Sequence, residues 1–261
     1  MLWIVADDEH HLATFSPDGT PAFTLTLLPG VLPDEHQARK RAKPDLEWLA
    51  ALPGGRLLTI GSGSRPSRTR GALVDRASRA VTPVDAAPLY AALTRELSEL
   101  NLEGAAIAGA HLRLLQRGNG PSGVNAVVDL ALAGVLEALA AGRALGPELL
   151  ERVTRVEVGS LAGGERLDFT DCSPLPDGRL VFTCAAEAGA STYDDGPCAG
   201  AAVGILSAEA RVSALWPVTV SAGPLPKLEG VHVGPDGRAL LLVADGDQRG
   251  RPAPLYACDL P

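Results

Sequence analysis

Short diagnostic signatures are scarce in this 261-residue chain. Its four cysteines, Cys172, Cys184, Cys198 and Cys258, show neither a Cys-x-x-Cys pair nor Cys/His metal spacing, so a zinc or redox motif of that kind is excluded. The five histidines, His10, His11, His36, His111 and His232, lack metal spacing too. Gly-Ser-Gly-Ser at 61–64 is neither a nucleophile elbow nor a phosphate loop ending in Gly-Lys-Ser/Thr, which leaves Ser62 and Ser64 as weak nucleophile candidates. No apolar run approaches the roughly 20 residues of a membrane span. Met1-Leu2-Trp3-Ile4-Val5-Ala6 meets Asp7-Asp8-Glu9 with no basic segment before it, unlike a signal peptide. A cytoplasmic location is therefore the default expectation. A net charge of −8 and a pI near 5.1 are the opposite of a nucleic-acid-binding surface.

What is present is a repeat. Apolar residues make up 46% of the chain and mean hydropathy is +0.12, enough for a substantial core. Phe169–Glu187 (FTDCSPLPDGRLVFTCAAE) joins two β-prone runs through Pro-Asp-Gly-Arg, a strong hairpin signal. Related stretches are EWLAALPGGRLLTIGSG from Glu47, EGAAIAGAHLRLLQRGN from Glu103 and EGVHVGPDGRALLLVADGD from Glu229. Their acidic openings lie 56, 68 and 58 residues apart. Hairpin units at that spacing point to an all-β fold, a β-propeller of about five blades, with six as the alternative.

Taken in order, Leu2–Ala6, His11–Ser16 and Ala22–Leu28 read as the second, third and fourth strands of a blade lacking its first. Pro29–Pro44 reads as a loop carrying Arg39-Lys40-Arg41-Ala42-Lys43. The first full repeat ends in a helix, with Asp85 as its cap, Pro88 in its first turn, and Leu89, Leu93, Leu97 and Leu100 along one face. A second helical insertion spans Gly134–Val153, followed by an outer strand Val156–Leu161. The closing repeat stops a strand short. The whole, 1–261, reads as one propeller domain with one or two short helical insertions. Cys172 and Cys184 flank the central hairpin almost symmetrically, which places them across from one another as buried thiols.

Hairpin geometry predicts where polar residues meet. The turn lies about eight residues after the motif acid, so the start of the first strand and the end of the second return to one face. Glu47, Glu103, Asp171, Glu187, Glu229, Asp245, Asn119 and Asp8 are therefore expected to ring one mouth of the channel. In the third repeat Gly178-Arg179 aligns only when Thr170 takes the Glu position. Asp171 is then one place late, and one residue turns a strand side chain to the other face. Crowded carboxylates need protons, cationic partners or a metal. Oxygen-only donors from Glu47, Glu103, Asn119, Asp171, Glu187, Glu229 and Asp245 suit a hard cation, calcium first. The competing neutralisers are Lys43, Lys227 and Arg117, close in sequence to those acids. Loops on the same face carry Arg65, Arg68, Arg70, Arg249 and Arg251, able to clamp an anionic substrate or merely to solvate the loops. Tyr193, Asp194 and Asp195 form a further substrate-site candidate.

Read together, KPDLEWL, GSGSRPSRTRG, NLEGAA, LLQRGN, FTDCSPLPDGR, STYDDGP and KLEGV resemble a bacterial β-propeller family of unknown function, over essentially the whole chain. That resemblance implies a further strand ahead of Leu2–Asp8, and no catalytic residue comes with it. More distantly, the Glu-Gly opening with its Pro-Asp-Gly-Arg hairpin is similar to phytase-like and gluconolactonase-type propellers. Those hold calcium with acids and amides at the central mouth and hydrolyse phosphoesters or lactones. Two functions are thus expected in competition. One is a calcium-dependent hydrolase with Glu103 or Glu229 as general base. In it Arg65, Arg117, Lys43 and Lys227, with Tyr193, Asp194 and Asp195, orient a small anion or lactone. The other is a non-catalytic propeller binding a ligand or protein on that face. A monomer is expected in either case.

Overall fold

The structure is a computed structural model describing residues 1–187, 198–219, 226–245 and 252–261. It is a five-bladed β-propeller. Five sheets follow one another along the chain, each a meander of sequential strands. The first holds β1 (Leu2–Val5), β2 (His11–Phe15) and β3 (Pro21–Thr26). The second holds β4 (Ala50–Leu52), β5 (Arg56–Ile60), β6 (Arg70–Asp75) and β7 (Val81–Asp85). The third comprises β8 (Leu102–Ala108), β9 (His111–Gln116), β10 (Ala126–Ala131) and β11 (Leu150–Arg155). The fourth comprises β12 (Asp168–Pro174), β13 (Leu180–Glu187), β14 (Cys198–Leu206) and β15 (Val212–Pro217). The fifth has β16 (Leu228–Val233), β17 (Ala239–Ala244) and β18 (Leu255–Asp259).

The hairpin turns explain why the repeats fold alike. In Ser16–Thr20, Leu175–Arg179 and Gly234–Ala239 the glycine takes φ of 84°, 87° and 71° respectively, a region that side-chain-bearing residues avoid. In each, the preceding aspartate accepts the backbone N–H two residues on, at 3.1, 3.1 and 3.0 Å for Asp18, Asp177 and Asp236. Asp-Gly thus supplies both the left-handed residue and the local acceptor that closes the turn.

Two compact units can be distinguished. One is Met1–Leu102 with Ala110–Leu112 and Asp129–Glu151; the other is Glu103–Gly109 with Arg113–Val128 and Arg152–Pro261. In the first, Leu12, Leu27, Leu46, Leu57, Ala72 and Val74 pack together. In the second, one core includes the Phe169–Phe182 edge-to-face pair at 5.1 Å, and another joins Val181, Val203, Leu228 and Leu240.

Among the described residues three short α-helices interrupt the strands, one more than expected. The addition is α1 (His36–Ala42), inside the stretch read as loop; Glu35 caps it by accepting from the N–H groups of Gln37 and Ala38. α2 (Ala87–Glu96) buries Leu89, Tyr90 and Leu93, and Asp85 accepts from the Ala87 N–H at its start. α3 (Leu132–Ala140) is shorter than expected, because Gly142, at φ 63°, and the Arg143 N–H on Ala138 O close it. The outer strand of that blade is consequently Leu150–Arg155, not Val156–Leu161. Cys172 and Cys184 do not face each other either: Cys172 opposes Phe182 and Cys184 opposes Phe169, across a bulge. All four cysteines are free thiols. Among the described residues no helix is long and apolar enough to cross a membrane.

Candidate functional site

Four of the expected acids fall into two groups, Glu47 in one unit and Glu103, Glu187 and Glu229 in the other. In the second unit, strand ends bring together Glu103 at the start of β8, Arg117 just past β9, Glu187 at the end of β13, and Lys227 and Glu229 at the start of β16. Arg117 Nη1 donates to Glu103 Oε2 at 2.9 Å and Nη2 to Glu187 Oε1 at 2.6 Å. Lys227 Nζ lies 3.2 Å from both Glu187 Oε1 and Glu229 Oε1, and Arg117 Nη1 is 4.0 Å from Glu229 Oε1. The guanidinium is 4% exposed at its side chain, Glu103 5%, Glu187 10% and Glu229 20%. Glu229 is the most open of the three carboxylates.

The electrostatics follow from this burial. Loss of hydration pushes the Glu103 carboxyl up to about 8 against the pull of Arg117, and raises Glu229 against Lys227 and Arg117. Burial opposes the charge of Arg117 as well, but Glu103, Glu229 and Glu187 outweigh it and hold the guanidinium cationic. Arg117 keeps its proton, as arginine does in proteins, while burial holds the Glu103 carboxyl above its ordinary value.

Asp171 belongs to the same unit in a different capacity. β12 and β16 each carry a register shift, between Phe169 and Asp171 and between Leu228 and Gly230. Thr170 and Glu229 therefore hold equivalent bulged positions, and Asp171 corresponds to Gly230. Thr170 is buried and donates from Oγ1 to Thr183 Oγ1 at 3.0 Å. The Asp171 carboxylate is spent on the neighbouring inner strand: Oδ2 accepts the Val231 N–H at 2.8 Å. Burial raises this carboxyl to about 8. The expected metal ligand at 171 is thus a strand clip, one residue past the bulged position that Glu229 holds in β16.

In the first unit the group is Asp7, Lys43, Asp45 and Glu47, with Arg68, Ser62 and Ser64. Carboxylate oxygens of Asp7, Asp45 and Glu47 lie within 4.8 Å of one another, an arrangement able to hold a metal ion. Lys43 Nζ contacts Asp7 Oδ2 and lies 2.9 Å from Asp45 Oδ1. Asp45 Oδ2 accepts from Arg68 Nη1 at 2.6 Å, from Ser64 Oγ at 3.1 Å and from Ser62 Oγ. Asp45 adopts φ 60°, a left-handed conformation held by its N–H on Asp7 O and by its own carbonyl, which accepts the Ser62 N–H, both at 2.9 Å. Asp7 and Asp45 were not anticipated, because the repeat alignment fixes attention on Glu47. The alternation Lys43, Asp45, Glu47 was the available signal.

The remaining expectations distribute as follows. Asp8 pairs with Arg39 at 2.9 Å. Asn119 is half-buried, and Asp245 is exposed, with its N–H on Lys227 O at 3.0 Å. Arg65 is half-buried in the turn leading to Arg68. Ser62 is buried against Asp45. Tyr193, Asp194 and Asp195, like Arg249 and Arg251, lie outside the described residues.

A five-bladed propeller with a buried carboxylate–cation group in each of two units is the class these features define. The chain belongs to the family of unknown function DUF6910, whose model matches residues 39–249. No curated protein matches it. Among solved structures, it is similar to a protein of unknown function from Bacteroides caccae: TM-score 0.48, 11% identity, over 98% of this chain and 89% of that one. It is also similar to the Xanthomonas campestris gluconolactonase XC5397 (TM-score 0.42, 16% identity, 81% of this chain, 56% of that one). For the periplasmic gluconolactonase PpgL of Pseudomonas aeruginosa the TM-score is 0.42 and the identity 14%, over 95% of this chain and 77% of that one. At these scores the likeness carries nothing about activity.

Proposed function

We propose that this protein is a cytoplasmic, monomeric hydrolase of a small lactone or phosphoester, with Glu229 as general base. The observation that supports this is the state of Glu229. It is the most accessible carboxylate of a buried group, its pKa is raised by burial, and it stands 3.2 Å from a fixed ammonium. A carboxylate raised toward working pH is a better base than a solvated one. Water passes a proton to Glu229 as its oxygen adds to the carbonyl carbon or phosphorus. The bond to the leaving oxygen breaks, and that oxygen takes a proton back from Glu229. Lys227 draws the anionic oxygen of the substrate towards the group. Glu103 is too enclosed to touch substrate and serves as a positioning residue through Arg117.

Calcium, implied by the distant resemblance, does not fit the Glu103–Glu187–Glu229 group. Arg117 and Lys227 already hold those oxygens. Asp7, Asp45 and Glu47 bring three carboxylate oxygens together as a hard cation requires, but there too cations, Lys43 and Arg68, hold the oxygens.

A panel of lactones, phosphomonoesters and carboxylic esters tests the reading. Turnover by the wild type and at least ~100-fold loss in Glu229→Gln, with an unchanged melting temperature, is the expected result. No turnover on any member overturns it. The ion pairs of Glu103, Glu187 and Glu229 with Arg117 and Lys227 then favour a propeller that binds a ligand without converting it.

A further inference from the structure

We infer that this chain supplies its own cation where a calcium-binding propeller would recruit one: the Lys43 ammonium is the resident cation of the Asp7–Asp45–Glu47 cage, and its removal creates a divalent-cation site. The inference is independent of the hydrolase reading, since its readouts are bound metal and melting temperature rather than turnover.

Three features carry it. First, the cage has the donor set of a hard-cation site, three carboxylate oxygens within 4.8 Å, and oxygen donors in irregular geometry are what calcium tolerates. Second, the ammonium stands among them, in contact with Asp7 and 2.9 Å from Asp45, with its side chain only 15% exposed. Glu47 acts on Lys43 electrostatically in the same sense. Third, Lys43 is held there by its backbone. It caps α1, its N–H on Arg39 O at 2.7 Å, and Asp45 two residues on is pinned in its left-handed conformation. Position and charge are therefore built in before any ion arrives.

Charge balance gives the sign of the effect. Asp7, Asp45 and Glu47 face the cations Lys43 and Arg68. With Lys43 present, a divalent ion must enter beside a buried ammonium. Without it, Arg68 is the one left of these two cations, and a divalent ion can take the place that the ammonium leaves. The second unit shows the same solution independently, with Arg117 and Lys227 distributed over Glu103, Glu187 and Glu229.

The test compares wild type, Lys43→Ala, Lys43→Arg and the double variant Lys43→Ala/Glu47→Gln. Melting is followed in EDTA and in millimolar calcium chloride, and bound calcium is counted by isothermal titration. Wild type and Lys43→Arg should melt at the same temperature in both buffers and show no binding isotherm. Lys43→Ala should melt lower in EDTA and regain about 5 °C or more with calcium, the shift expected when ligand is near a hundred times its dissociation constant. It should bind one ion per chain, and the added Glu47→Gln should abolish the response. Lys43→Ala that folds only when calcium is present also supports the inference. A calcium-dependent shift in the wild type overturns it. So does a Lys43→Ala protein, or a milder Lys43→Gln, that gains nothing from calcium, and so does a response that survives Glu47→Gln.

Discussion

Asp171 and Val231 are joined across two inner strands: the carboxylate Oδ2 of one accepts the backbone N–H of the other at 2.8 Å. A Cβ at the neighbouring Gly230 would meet Asp171 Oδ2 at 3.9 Å, an ordinary van der Waals contact. Two residues along, Ser173 Oγ accepts the Val233 N–H at 3.0 Å. β12 is thus fastened to β16 by side chains in place of a backbone ladder. Asp171→Asn keeps an acceptor and should fold with little loss, whereas Asp171→Ala leaves a buried N–H unsatisfied at a cost of about 1–3 kcal/mol. Urea denaturation of both variants distinguishes the two.

The same carboxyl gives the fold a pH dependence of definite sign. Its pKa is about 8 in the folded protein against 3.8 ordinarily, so the folded state binds the proton more tightly than the unfolded chain does. That stabilisation is complete below about pH 4 and is lost as pH rises through about 8. Glu103, also raised to about 8, acts in the same direction. Melting temperature should therefore fall between about pH 5 and pH 8, and Asp171→Asn should flatten the slope without removing it.

Arg117 is the keystone of the second group. Arg117→Met would leave Glu103 and Glu187 buried without a guanidinium, a loss of about 3–5 kcal/mol, or a drop of about 10 °C in melting temperature. Adding Glu103→Gln should recover part of the loss. A double-mutant cycle giving strictly additive effects would show that the two side chains do not interact.

Much of this was legible in the sequence, for identifiable reasons. The blades were visible because Asp-Gly turns and acidic openings recur at near-constant spacing, and both features act locally. Lys227 and Arg117 were readable as partners of the acids because they lie close in sequence to motif positions, although a metal competed for that role. Three features were hidden. α1 has no apolar periodicity in HQARKRA and depends on the Glu35 cap. Leu150–Arg155 continues an Ala/Leu-rich run and becomes a strand only because α3 is stopped at Gly142. The partners of Asp45, backbone and side chain, come from positions 7, 43, 62, 64 and 68, a convergence that no local pattern encodes. The mismatch of Thr170 with the other motif acids, by contrast, was readable: Thr170 holds the bulged position that Glu229 holds in the fifth blade.

Close backbone packing in the second blade yields a sharper contrast between two glycines. A Cβ at Gly71 would overlap the Thr59 carbonyl oxygen across the β5–β6 pair, so Gly71→Ala should yield little folded protein. Gly178 meets nothing within 4 Å and has only its positive φ to lose. Gly178→Ala should cost about 1–2 kcal/mol. Soluble yield and thermal melting of the two variants provide the comparison.

Asp45 carries two demands at once, and together they define its mutational tolerance. Its backbone at φ 60° is open mainly to glycine and asparagine among replacements, while its contacts with Lys43 and Arg68 ask for a carboxylate, which only glutamate could retain. The two sets of replacements share no member. A saturation library at this position, sorted for folded protein, should return aspartate almost alone. Position 47, free of the backbone demand, should accept a wider alphabet.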